Sequence, residues 1–111
     1  MENKEYILNT AKQIITEEIE KAGYKVEAIY LFGSRARGDY KEYSDWDFFV
    51  VTNRDLIKND LINVLRFIRE KIVENIDIST DIIIKSKNLY EHQQIGTGFL
   101  SYYVNKEGVS L

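Results

Sequence analysis

Between Glu2 and Ala22, apolar residues recur at Ile7, Leu8, Ala11, Ile14, Ile15, Ile19 and Ala22. That is the spacing of one face of an α-helix, and Gly23 stands where a C-terminal cap belongs. The pattern then changes period. Lys25 to Phe32 (KVEAIYLF) is a β-branched and aromatic run and reads as a strand. Gly33 and Ser34 break it, and Ser34 is placed to begin a short helical turn through Arg37. Gly38 to Ser44 is polar and loop-like, and a second strand is expected from Asp45 to Val51. Arg54 to Glu74 returns to the helical period, with Leu61, Val64, Leu65, Ile68 and Ile72 on the buried stripe. Asp77 to Ile84 (DISTDIII) reads as a third strand. Asn88 to Asn105 reads as a helix weakened by Gly96 and Gly98, and Gly108 opens a strand-like tail from Val109 to Leu111. Helix and strand alternate without repeats or linkers, so the expected fold is α+β, a mixed β-sheet flanked by helices.

A chain of 111 residues suits one domain, residues 1–111, and is too short for two cores. Its 44% hydrophobic and 30% charged content is that of a folded protein. No segment is long and apolar enough to span a membrane, and MENKEYIL does not read as a signal peptide, so a cytoplasmic location is expected. The absence of cysteine excludes disulfides, zinc–thiolate sites and thiol nucleophiles, and a single histidine, His92, excludes a multi-histidine zinc site. Any metal would be a hard cation held by oxygen, such as magnesium or manganese. A net charge of −3 argues against binding extended nucleic acid, although local basic groups can still hold one nucleotide.

Chemistry concentrates in "LFGSRARGDYKEYSDWDFFVV", Leu31 to Val51. In a strand Asp45 and Asp47 project from one face and Trp46 from the other. Two carboxylates so placed repel each other, and a divalent cation converts the repulsion into shared binding. Asp81 lies within the third strand ahead of Ile82, Ile83 and Ile84, where a charge is ordinarily paired or metal-bound. If the second and third strands are neighbours, all three carboxylates reach one point and define a two-metal site, with ions roughly 3.5–4 Å apart, suited to nucleotidyl transfer. Taken alone, an Asp-x-Asp pair is most often a surface turn or a helix cap, and Asp81 could lie half-exposed on an edge strand.

The turn upstream adds an anion site. Gly33 follows a strand and precedes a helical turn, so backbone N–H groups face a phosphate that glycine allows to come close, and Ser34 adds a hydroxyl. Arg35 and Arg37 are two residues apart and do not share a face of that turn, so at most one enters the site. Without the acidic pair, a strand–turn–helix corner with solvated arginines would explain the same residues. The tripeptide Arg37-Gly38-Asp39 is a coincidental match to an integrin motif. Lys85 and Lys87, past the third strand, read first as a solvated strand exit and second as phosphate or partner contacts.

The combination of Gly33-Ser34 opening "GSRARG", "DWD" within "SDWDFFVV", and the later "TDIII" resembles the nucleotidyltransferases of the DNA polymerase β superfamily, and within it the minimal nucleotidyltransferase group. The likeness covers nearly the whole chain, with Trp46 a departure where a smaller aliphatic residue is usual; its ring should point away from the metals. The resemblance implies transfer of a nucleoside monophosphate, AMP from ATP, to an acceptor hydroxyl with release of pyrophosphate. It assigns Gly33, Ser34 and Arg37 to the nucleotide, Asp45 and Asp47 to the triphosphate-bound Mg2+ and a second ion, and Asp81 to that second ion and to deprotonation of the acceptor. It further implies an antitoxin that AMPylates a tyrosine of a HEPN-domain ribonuclease toxin. Self-modification at Tyr40 or Tyr43 is the less favoured outcome. A small-molecule adenylyltransferase and a catalytically silent binding module of the same fold are the other classes left open.

Overall fold

The computed structural model describes residues 3–93 and 107–111. Their order is α1 (Lys4–Lys21), β1 (Val26–Phe32), α2 (Ser34–Arg37), β2 (Trp46–Thr52), α3 (Lys58–Ile76), β3 (Thr80–Ser86), α4 (Lys87–Gln93) and β4 (Val109–Ser110). The α+β class expected from alternating periods is the one observed, and the strand-like tail does pair into the sheet.

The sheet runs β3-β2-β1-β4. β1 is antiparallel to both β2 and β4, and β2 is parallel to β3. A parallel neighbour needs a long return path, which α3 supplies. One face of the sheet, carrying Ile29, Leu31, Trp46, Phe48, Val50 and Ile82, is packed by Ile7, Ala11, Ile14, Ile15 and Ile19 of α1 and Val64, Ile68 and Ile72 of α3. Burying side chains such as Leu31, Phe48 and Ile68 completely contributes roughly 1.5–3 kcal/mol each. The other face carries Ala28, Tyr30, Phe32, Phe49, Val51 and Ile83, with Tyr90 of α4 packed onto it. β2 is central and covered on both faces, which explains its nearly unbroken apolar run.

Helix ends obey local chemistry. Asn3 caps α1 by accepting the N–H of Tyr6 at 3.0 Å. At the far end Gly23 has φ 94°, and the N–H of Tyr24 returns to the Ile19 carbonyl at 3.2 Å.

Three expected boundaries move. The third strand begins at Thr80, because Asp77 is the C-cap of α3 in the left-handed conformation, φ 46°, its N–H shared by the carbonyls of Ile72 and Val73. α3 begins at Lys58 and not at Arg54; the Arg54 guanidinium instead lies 4.1 Å from the Tyr24 ring centre and donates to the Gly23 carbonyl at 3.0 Å. β2 begins at Trp46, so Asp45 lies one residue before the strand. The expected helix from Asn88 is present as far as Gln93, and its remainder, with Gly96 and Gly98, lies outside the described residues. Among the described residues no helix is long and apolar enough to cross a membrane.

Candidate active site

Asp47 is the one position of β2 that is not fully buried. It lies on the sheet face opposite α1 and α3, with Phe32 of β1 across from it on one side and Asp81 of β3 on the other. The condition set by the sequence, that the second and third strands be neighbours, is therefore met, and Asp47 and Asp81 share a register pair. Strands pair at about 4.8 Å, so the two carboxylates start from adjacent backbone positions on the same face. Asp45 is exposed, immediately before the strand, and Asp81 is exposed near the start of an edge strand.

The electrostatics follow from this placement. Partial burial is the first cause of an Asp47 carboxyl pushed above its ordinary value of 3.8; the negative fields of Asp81 and Asp45 add to it, and Arg37 opposes them. Three ion pairs of the described residues involve none of Asp45, Asp47 and Asp81. Lys21 and Lys71 bind Glu18, and Arg37 binds Asp39 at 3.4 Å. Among the described residues, no three His, Cys, Asp or Glu side chains are arranged to hold one ion in common. The donor chemistry nonetheless fits a hard divalent cation: carboxylate oxygens of one sign, within each other's field.

Gly33 closes β1 with φ 72° and ψ −159°, a region that side chains other than hydrogen do not enter readily. A Cβ there would collide with the Asp47 carboxylate, so the turn is packed directly on that group. The N–H groups of Ala36 and Arg37 donate to the Gly33 carbonyl at 3.1 Å each, and Gly38, φ 94°, closes the turn on the Ser34 carbonyl at 2.9 Å. The glycine–serine turn and the acidic strand are thus one constellation. Arg37 is exposed on the aspartate side, close enough for its charge to act on Asp47.

Arg35 goes the other way. It is 2% exposed, donates from Nε and Nη2 to the Ser44 carbonyl at 3.2 and 3.0 Å, and from Nη2 to the Glu42 carbonyl at 3.1 Å. Its guanidinium carbon lies 4.4 Å from the Tyr40 ring centre and 4.5 Å from that of Trp46. The Trp46 ring is buried on the face away from Asp47, as side-chain alternation requires. The sequence left open which of Arg35 and Arg37 enters the site and gave Arg35 no structural role; the signal for one was an arginine close in sequence to two aromatic residues. Lys85 and Lys87 are at the other end of β3 from Asp81, roughly 13 Å or more along the chain at strand rise, and so take no part in this constellation.

Residues 7–107 match the polymerase beta nucleotidyltransferase family. The chain belongs to this nucleotidyltransferase family. Among solved structures it is similar to a chain of a toxin–antitoxin complex crystallised with AMP-PNP, with TM-score 0.55 and 20% identity over 89% of this chain and 70% of that one. It is also similar to a chain of a variant of the toxin–antitoxin pair MntA–HpeT, with TM-score 0.57 and 21% identity over 100% of this chain and 72% of the other. A protein from Sulfolobus solfataricus, provisionally described as a nucleotidyltransferase, aligns with TM-score 0.51 and 25% identity over 96% of this chain and 82% of its own. At these identities the first two likenesses are of fold. Comparison with curated proteins gives no match.

Proposed function

We propose that this chain transfers AMP from ATP to an acceptor hydroxyl, and that the acceptor is a tyrosine of a HEPN-domain toxin, which makes the chain an antitoxin. The observation that carries the reading is Asp47: a half-buried carboxylate pressed against the Gly33 turn and facing Asp81 in register, with its proton held more tightly than usual. Such an arrangement is costly without a cation, and the glycine turn beside these carboxylates has the chemistry to take phosphate next to a metal.

In this reading Asp45, Asp47 and Asp81 hold two divalent ions, Mg2+ or Mn2+. These ions neutralise charge on the triphosphate and lower the pKa of the acceptor hydroxyl. The Gly33 backbone and the Ser34 hydroxyl orient the β- and γ-phosphates, and Arg37 adds positive charge on the same side. The acceptor oxygen forms a bond to the α-phosphorus, the bond from that phosphorus to the bridging oxygen breaks, and pyrophosphate leaves. Asp81, exposed near the start of β3, takes the hydroxyl proton. A tyrosine suits the role because its pKa of about 10 is well below that of an aliphatic alcohol. Support for the partner comes from the toxin–antitoxin neighbours, one of them holding an ATP analogue.

The test is intact mass spectrometry of the purified chain with the protein encoded beside it, ATP and Mg2+. A gain of one or more AMP on the partner, lost in Asp45→Asn, is expected. AMP only on this chain, or on neither protein, contradicts the proposal.

A further inference from the structure

We infer that Arg35, clamped between Tyr40 and Trp46, is a positioning residue that holds Asp45 in place for the divalent ion; the inference rests on the metal-dependent transfer proposed above. Asp47 needs no such help. It sits within β2, laddered to β1 on one side and β3 on the other. Asp45 precedes the strand, at the end of a segment, residues 38–45, that is exposed apart from half-buried Ser44. The segment's own bonds are few: the Ser44 N–H donates to the Lys41 carbonyl at 3.0 Å, and the Lys41 N–H to the Ser44 hydroxyl at 2.9 Å.

On its C-terminal side Asp45 is tied down by the Trp46 N–H, which donates to the Ser79 carbonyl at 2.9 Å; Arg35 supplies the restraint on the loop side. Its stem leaves α2 next to Ser34, and its guanidinium reaches the carbonyl of Ser44, the residue bonded to Asp45, through two donors, and that of Glu42 through a third. A buried guanidinium is tolerated only when its donors and charge are met, here by carbonyl dipoles at its edge and aromatic faces beside it. One side chain therefore ties the phosphate turn to the first metal-binding aspartate. Trp46, the departure from the smaller residue usual in the family, gives the clamp one of its aromatic walls. Lysine is a poor replacement for Arg35, because its ammonium is a point charge without the planar, fixed fork of donors that also stacks on rings.

The test uses nucleotide-free protein and Mn2+ alone, read by paramagnetic resonance of the bound ion, with amide hydrogen exchange on the same samples. Arg35→Lys should weaken Mn2+ binding by roughly tenfold or more, the usual cost of losing a residue that supports a ligand. Exchange should quicken at Lys41 to Asp45 and stay unchanged in α1 and α3. Tyr40→Leu, at a half-exposed ring whose loss leaves the core intact, should do the same by roughly threefold to tenfold and serves if Arg35→Lys does not fold. Equal Mn2+ affinity in wild type and variants overturns the inference alone, whether or not loop exchange quickens. Failure of the wild type to bind Mn2+ overturns the two-metal reading and the inference with it.

Discussion

The carboxylates of Glu18 and Asp47 are both drawn back from water, and their surroundings are opposite. Glu18 of α1, 7% exposed, receives Lys71 of α3 at 2.6 Å and Lys21 at 3.2 Å. The Lys71 hydrogen bond is the first cause of a Glu18 carboxyl held below its ordinary 4.5, against the opposing effect of burial. Asp47 has carboxylates for neighbours, and its carboxyl is pushed up by burial and then by Asp81 and Asp45. The first pattern pins two helices together and is finished within the chain. The second sets like charges together beside the Gly33 turn, with Arg37 opposing them only in part. A charge balanced by the fold's own side chains belongs to the scaffold; a charge the fold leaves unbalanced is kept for something that binds.

The contrast is broken most severely at Asp47. Asp47→Asn should reduce AMP transfer by about three orders of magnitude or more while the melting temperature holds or rises, since a like-charge repulsion is removed. Rate assays and thermal melts on one preparation check both halves. Gly33→Ala should cut transfer by roughly 10- to 100-fold and cost about 1–3 kcal/mol, because the new methyl group meets the Asp47 carboxylate in a backbone region that disfavours it. Glu18→Ala should do the reverse. Transfer stays at the wild-type rate while stability falls by about 2 kcal/mol, roughly 10 °C in melting temperature, less than for a fully enclosed pair because Lys21 and Lys71 are 64% and 37% exposed.

A smaller effect separates the two carboxylates by pH. Glu18, with its folded pKa lowered, contributes stability that is complete above its ordinary 4.5 and is lost as pH falls through the lowered value. Asp47, with its folded pKa raised, binds more protons folded than unfolded, so its contribution declines as pH rises from 3.8 through the raised value. Melting curves across the acid range should show Glu18→Gln losing the rise and Asp47→Asn losing the decline. The smallest change is at exposed Arg37, where Arg37→Gln should raise the KM for ATP by a few-fold, read from initial rates, with little change in melting temperature.

Much of this was legible in the residues, and the gaps have physical causes. Period alone separated the helices from the strands. The glycine–serine turn and the Asp-x-Asp spacing pointed to phosphate and cation only in combination, since each alone has commoner structural explanations. Whether Asp81 joined them depended on strand order, which no local pattern encodes; the parallel pairing of β2 with β3 supplied it. Asp77 looked like a strand opener because its left-handed conformation at the end of α3 is set by backbone carbonyls and leaves no mark in the pattern. Arg54 has helix propensity, but its contact with Tyr24 outweighs it. The clamp on Arg35 was hidden for a similar reason: its partners are backbone carbonyls of a loop and two rings whose approach depends on how the loop folds back.

The account stands on Asp47 being held for a cation and a nucleotide, and a thermal melt with Mg2+ and a non-hydrolysable ATP analogue tests that most directly. At ligand near one hundred times its dissociation constant, binding to the folded state alone adds about 2.7 kcal/mol, roughly 10 °C or more. The wild type should gain that much, Glu18→Gln should gain as much from a lower starting point, and Asp47→Asn should gain little or nothing. No gain in the wild type, or an equal gain in Asp47→Asn, would contradict the claim.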